Sequence, residues 1–243
     1  MKAPPPRVVE LLKGFEAAEI LLVEWEFSLL YRLGSPMALH GDLFFLTPDN
    51  QLPKAYDIAA NLGLYPADQV QLPPAYPSEY SDACVRYMFD QPDERRNTPL
   101  RRRLVLLPFS WAGITRHDLA PLTHSDTGLP CTVWTVPFPA ACASFLRIAT
   151  HERDNNSVIR MLYLGHVANV IAYQLFDMSY EGAYMELPSD DEPLSDKEVL
   201  EMERAVEQIR GWTWRSEEEW MGEALVQVVT GKVPYRDLPC GVK

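Results

Sequence analysis

The sequence predicts an α/β (α+β) fold, a mixed sheet with flanking helices followed by a helical C-terminal half. Two observations carry this. Short apolar runs of strand length, each closed by Pro, Gly or Asp, concentrate before residue 137. After Pro137 and Pro139 the pattern turns helical, with a nearly continuous apolar segment from Val158 to Phe176. The expected division is a core over 1–136 and a helical region over 137–243 packed against it. A ligand is expected in the cleft between them.

Taken in order, residues 7–24 set Val8, Leu11, Leu12, Phe15, Leu22 and Val23 at near-helical spacing, with Glu10, Lys13, Glu16 and Glu19 between them. That predicts an amphipathic first helix. Phe27 to Leu33 is short and apolar and ends at Gly34-Ser35-Pro36. It reads as a strand, a tight turn and a short helix in which Ser35 caps and Pro36 occupies the first turn. Asp42 to Thr47 is a second strand. Pro48-Asp49 then opens a helix with Leu52, Ala55, Tyr56, Ala59 and Leu62 on one face, and Gly63 ends it.

Residues 64–81 are rich in Pro and Tyr and lack periodicity. Ala83 to Phe89 and Arg103 to Phe109 read as strands of a hairpin with a long polar loop, and Cys131 to Val136 as another short strand. Two capping boxes, Ser195 with Glu198 and Ser216 with Glu219, open helices that end at Gly211 and Gly231. Between Phe176 and Ser195, the run Asp190-Asp191-Glu192-Pro193 reads as an exposed acidic linker.

Charge and composition exclude several functions. The chain has 243 residues, 47% of them hydrophobic, and its net charge of −12 repels phosphate backbones, so no nucleic-acid partner is expected. No apolar run reaches the roughly 20 residues a bilayer span needs, and Pro4-Pro5-Pro6 interrupts the N-terminus. No membrane partner is expected either. Cysteines at 84, 131, 142 and 240 lack zinc-site or disulfide-framework spacing and read as reduced thiols of a cytoplasmic protein.

The order of Gly34-Ser35, a strand from Asp42, Pro48-Asp49, a helix and Gly63 resembles the core of the nucleotidyltransferase superfamily. More narrowly, it resembles fungal nucleotidyltransferase-like proteins with a degenerate metal-binding motif. The likeness rests on Leu33-Gly34-Ser35-Pro36-Met37-Ala38-Leu39-His40, on Asp42-Leu43-Phe44-Phe45-Leu46-Thr47-Pro48-Asp49-Asn50-Gln51-Leu52 and, more loosely, on Leu104-Val105-Leu106-Leu107-Pro108. It implies a nucleotidyltransferase-like mixed sheet. In that family the Gly-Ser turn approaches a triphosphate, and carboxylates alternating on the next strand, with a third on a later one, hold two magnesium ions. Here Asp42 matches the first carboxylate, but Phe44 stands two residues on, and the 103–109 strand offers no acid. An apolar ring cannot ligate magnesium, so the fold is expected without a metal site or cofactor, unless Asp49 or Glu79 supplies an oxygen.

Candidate catalytic residues are Asp42, Tyr163 and His166. Ser35, Phe44, Tyr76, Tyr80, Phe109 and Trp111 are candidate substrate contacts. The aromatics suit an apolar pocket with a few polar anchors, and an isolated His on an apolar helix can serve as general base or donor. His117 with Asp118 and His124 with Asp126 fit no standard metal spacing. Nor is there an activated nucleophile, because Ser110 lies outside a G-x-S-x-G turn. The expected activity is a metal-independent isomerase or cyclase, a pericyclase such as an intramolecular Diels–Alderase, acting on a terpenoid or polyketide in fungal natural-product biosynthesis. A residual magnesium-dependent nucleotidyltransferase or nucleotide binder, and a non-catalytic acidic interaction module, are the competing expectations.

Overall fold

A computed structural model describes residues 4–36, 41–89, 102–154, 157–178 and 194–238. These form a six-stranded mixed sheet with helices against both faces. The strands are β1 (Leu22–Glu24), β2 (Leu43–Thr47), β3 (Val85–Met88), β4 (Arg103–Pro108), β5 (Ala120–Pro121) and β6 (Val133–Thr135), in the order β3-β4-β2-β1-β6-β5. β2 runs parallel to β4 and β1 parallel to β6, while β1–β2, β3–β4 and β5–β6 are antiparallel.

Strand alternation sorts the side chains onto two faces. Val23, Phe44, Leu46, Val105 and Leu107 enter one apolar cluster with residues of α6 (Phe138–His151), α7 (Ser157–Leu175) and α9 (Glu219–Val229). That cluster therefore joins residues on both sides of position 137. Leu22, Leu43, Phe45, Leu104, Leu106 and Val133 form a second cluster beneath α1 (Pro6–Ala17) and α3 (Leu52–Asn61).

Most elements lie where periodicity puts them, including α3, both strands of the β3–β4 hairpin, β6, α6 and α7. The box of Ser195 and Glu198 opens α8 (Asp196–Arg210): Ser195 N–H donates to Glu198 Oε2 at 2.7 Å and Glu198 N–H to Ser195 Oγ at 3.3 Å. Three expectations are corrected. The first helix stops at Ala17, because Glu19 takes a left-handed φ of 56° and Leu22–Glu24 is drawn into the sheet between β2 and β6. The run from Phe27 is a helix, α2 (Phe27–Arg32), with Leu29 and Leu30 buried. An apolar run of that length satisfies either period, and packing decides between them. The Ser216 box does not form: Glu217 is left-handed at φ 73° and α9 starts from Glu218. The short helix expected after Pro36, the polar hairpin loop expected over 91–99 and the acidic linker at 190–193 lie outside the described residues.

Candidate functional site

On the sheet face covered by α6 and α7, two buried polar networks meet at the 3-10 turn Pro77–Tyr80. The first centres on Asp42, just before β2. Its carboxylate accepts from Tyr76 Oη at 2.5 Å and from the Arg103 N–H at 2.9 Å. The Arg103 guanidinium donates to both Glu79 oxygens at 2.8 Å, and it stands 5.1 Å over the Tyr76 ring. Burial, then the Asp42 hydrogen bond and charge, push the Tyr76 phenol well up. Phe44 lies 5.1 Å from Tyr76 and 6.2 Å from Phe27, edge-on to both, and is 1% exposed. The ion pair is itself buried, with the Tyr76 ring on one side of the guanidinium.

The second network centres on Glu26, where β1 turns into α2. Glu26 has φ 49° and ψ −122°, a conformation side chains avoid at a cost of about 1–3 kcal/mol, and its carboxylate is buried. It accepts from Tyr163 Oη at 3.0 Å and from Ser78 N–H at 3.0 Å, and His166 Nε2 lies 3.6 Å away. Tyr163 Oη in turn accepts from the Trp25 indole N–H at 3.1 Å. Burial alone pushes the Glu26 carboxyl up, but the imidazole beside it and the Ser78 N–H outweigh that and hold it below the usual carboxylate range. Burial and the Glu26 charge push the Tyr163 phenol far up, so it is a neutral donor. Trp25 stacks on Tyr163 at a centroid distance of 6.4 Å, and Trp111 and His166 stand edge-on to it at 5.6 and 5.2 Å.

The sequence candidates therefore divide. Asp42, Phe44 and Tyr76 come together in the first network, and Tyr163, His166 and Trp111 in the second. Phe109 is buried in the cluster shared by both. Ser35 is buried with its hydroxyl unpartnered among the described residues, and Gly34 beside it lies against Tyr173 of α7, in the left-handed region where a Cβ would meet Tyr173 at 3.5 Å. Tyr80 is 48% exposed and joins neither network. Asp118 accepts from Thr115 and pairs with Arg215, and Asp126 accepts from Thr123, while the side chain of His124 lies outside what the structure describes. Glu26 and Arg103 are absent from the sequence candidates. The only linear signal for Glu26 is an acid set between Trp25 and Phe27 in an apolar run.

A two-magnesium site does not fit these residues. Both Asp42 oxygens accept hydrogen bonds, Glu79 is committed to Arg103, and Asp49 is turned to α4 (Phe109–Ala112), where it accepts from the Ser110 N–H at 3.1 Å. Among the described residues, no three His, Cys, Asp or Glu side chains are grouped to hold a metal.

Chemically, the second network is a carboxylate–imidazole pair with a neutral phenol fixing the carboxylate. The His166 side chain is 18% exposed, so the imidazole is partly open to solvent while its Nε2 and the Glu26 carboxylate are enclosed. An imidazole so oriented can take a proton from a bound molecule or return one. Compared with known proteins, the chain matches no family model and no curated sequence.

Proposed function

We propose that the chain is a metal-independent isomerase or cyclase acting on an apolar small molecule, with His166 as the proton-transferring group and Glu26 and Tyr163 as positioning residues. The observation that carries this reading is Glu26, an ionised carboxylate buried on a strained backbone 3.6 Å from an imidazole. Strain and charge burial both oppose folding, and together they persist where a site requires them. The aromatic surroundings, Trp25, Trp111 and Phe145, favour an apolar substrate, and the imidazole or phenol can polarise one carbonyl of it. In a pericyclic ring closure, such as an intramolecular Diels–Alder reaction, no proton moves, and His166 instead donates a hydrogen bond to that carbonyl while the near-attack conformer supplies the remainder of the rate. The resemblance to fungal nucleotidyltransferase-like proteins makes a terpenoid or polyketide substrate in the cytoplasm the natural choice. Nucleotidyl transfer is the weaker reading, since Asp42 is shut into its own hydrogen bonds.

The test is incubation with a panel of polyene and prenylated carbonyl compounds, read by mass spectrometry for products of unchanged mass. The native chain is expected to form an isomeric product about 10²–10⁴ times faster than His166→Gln. A thermal shift that requires magnesium and a nucleoside triphosphate, with no product from the panel, overturns the proposal.

A further inference from the structure

The opposite face of the sheet carries a cavity of about 360 Å³, within the range of roughly 300–1,000 Å³ typical of small-molecule sites. Its floor is apolar: Leu43 and Phe45 of β2, Val133 of β6, and Leu129. Glu24, at the end of β1, stands in its wall with a side chain only 4% exposed. Arg32, the last residue of α2, binds that carboxylate through both Nε and Nη2, the second bond at 3.1 Å. Asp126 lies at the rim, with its carboxyl held below the usual range by the Thr123 hydroxyl and N–H. Tyr31, 57% exposed, lines it as well.

We infer that this cavity is a binding site for a small molecule with an apolar body and one protonated amine. The described lining holds two carboxylates and one guanidinium, so it is one negative charge in excess. Arg32 neutralises the enclosed Glu24 through two of its donors, so the charge left over at the cavity is that of Asp126 at the rim, on which the Arg32 guanidinium also acts. A neutral ligand gains only the apolar floor. An ammonium gains the floor, the excess charge, and Tyr31 as a cation–π partner. The net charge of −12 adds attraction for a cation at long range. This site shares no lining residue with the Glu26 network and does not depend on the activity proposed there.

The test is titration calorimetry on the full chain with three probes of one shape: 2-phenylethylamine, 2-phenylethanol and 3-phenylpropionate. The amine is expected to bind about threefold more tightly than the alcohol, the worth of one solvent-exposed ion pair, with an affinity that weakens as salt is added, and the carboxylate is expected not to bind. Asp126→Asn should bring the amine to the level of the alcohol. Ser28→Phe, which fills the half-buried wall on α2, should abolish binding, with circular dichroism confirming the fold of each variant. Equal affinity for amine and alcohol, preference for the carboxylate, no binding at millimolar probe, or amine binding that survives Ser28→Phe in a folded chain overturns the inference.

Discussion

Tyr163 donates its phenolic proton to Glu26 across 3.0 Å, joining residues 137 positions apart and tying α7 to the strained turn that opens α2. The same oxygen accepts from Trp25, so one hydroxyl satisfies two buried groups.

Replacing Tyr163 with Phe leaves the Trp25 N–H and a Glu26 oxygen short of a partner in a dry interior. The expected loss is about 1–3 kcal/mol of unfolding free energy in urea titration. A change below about 0.5 kcal/mol means the hydroxyl is not holding the network together.

The pH dependence follows from Glu26. Its folded carboxyl lies below the ordinary value of 4.5, so the folded chain holds the ionised form more strongly than the unfolded chain does. This contribution is fully present above the unfolded value and is lost as pH falls through the lower, folded one. Urea midpoints between about pH 7 and pH 3 should drop less steeply for Glu26→Gln than for the native chain. Parallel slopes mean that the buried carboxyl does not change its affinity for protons on folding.

Arg103 and Glu79 are both buried, so removing either strands the other. Arg103→Met or Glu79→Gln alone should cost about 3–5 kcal/mol, and the double variant less than the sum of the two. Additive losses in a double-mutant cycle would count against the pairing as the source of the effect.

Phe44 is core rather than cleft wall. Phe44→Ala is expected to cost about 3–5 kcal/mol, whereas Phe44→Leu should lose less by keeping most of the volume. Apolar-ligand affinity of the folded fraction should be unchanged in Phe44→Leu. A specific loss of affinity in that variant, at native stability, would put the ring back in the site.

Gly113 closes α4 at φ 63°, and a Cβ there would come within 2.6 Å of Arg147 Cδ. Arg147 also donates to Gly113 O and pairs with Glu218. Gly113→Ala is therefore expected to cost about 1–2 kcal/mol from the backbone alone, and more from displacing Arg147. A melting temperature equal to the native value would show that Arg147 moves aside freely.

Local pattern located much of this architecture. Asp42 to Thr47 showed its strand because Pro48 and Asp49 bound an apolar run, and the Ser195 box opened α8 because its two hydrogen bonds are made within four residues. Leu22–Glu24 and Phe27–Arg32 were misread because short apolar runs fit both periods, and the partners that choose between them are remote: Val23 lies opposite Leu46 and, on its other side, Trp134. The candidate site was legible in part. Tyr163 and His166 stood out as polar groups on an apolar helix, whereas Glu26 and Arg103 gain their meaning from contacts 137 and 24 residues away.

Legible from the chain alone are a mixed α/β fold with helices in its second half, its strong negative charge, and an apolar ring at Phe44 on the strand that follows Asp42. These follow from composition and from interactions a few residues long. Tertiary structure decided that Asp42 is locked between Tyr76 and Arg103, that Glu26 faces Tyr163 and His166, and that Glu24 lines a cavity on the other side of the sheet. Adjacent strand positions point to opposite faces, and the energy of a buried charge depends on which distant groups the fold brings against it.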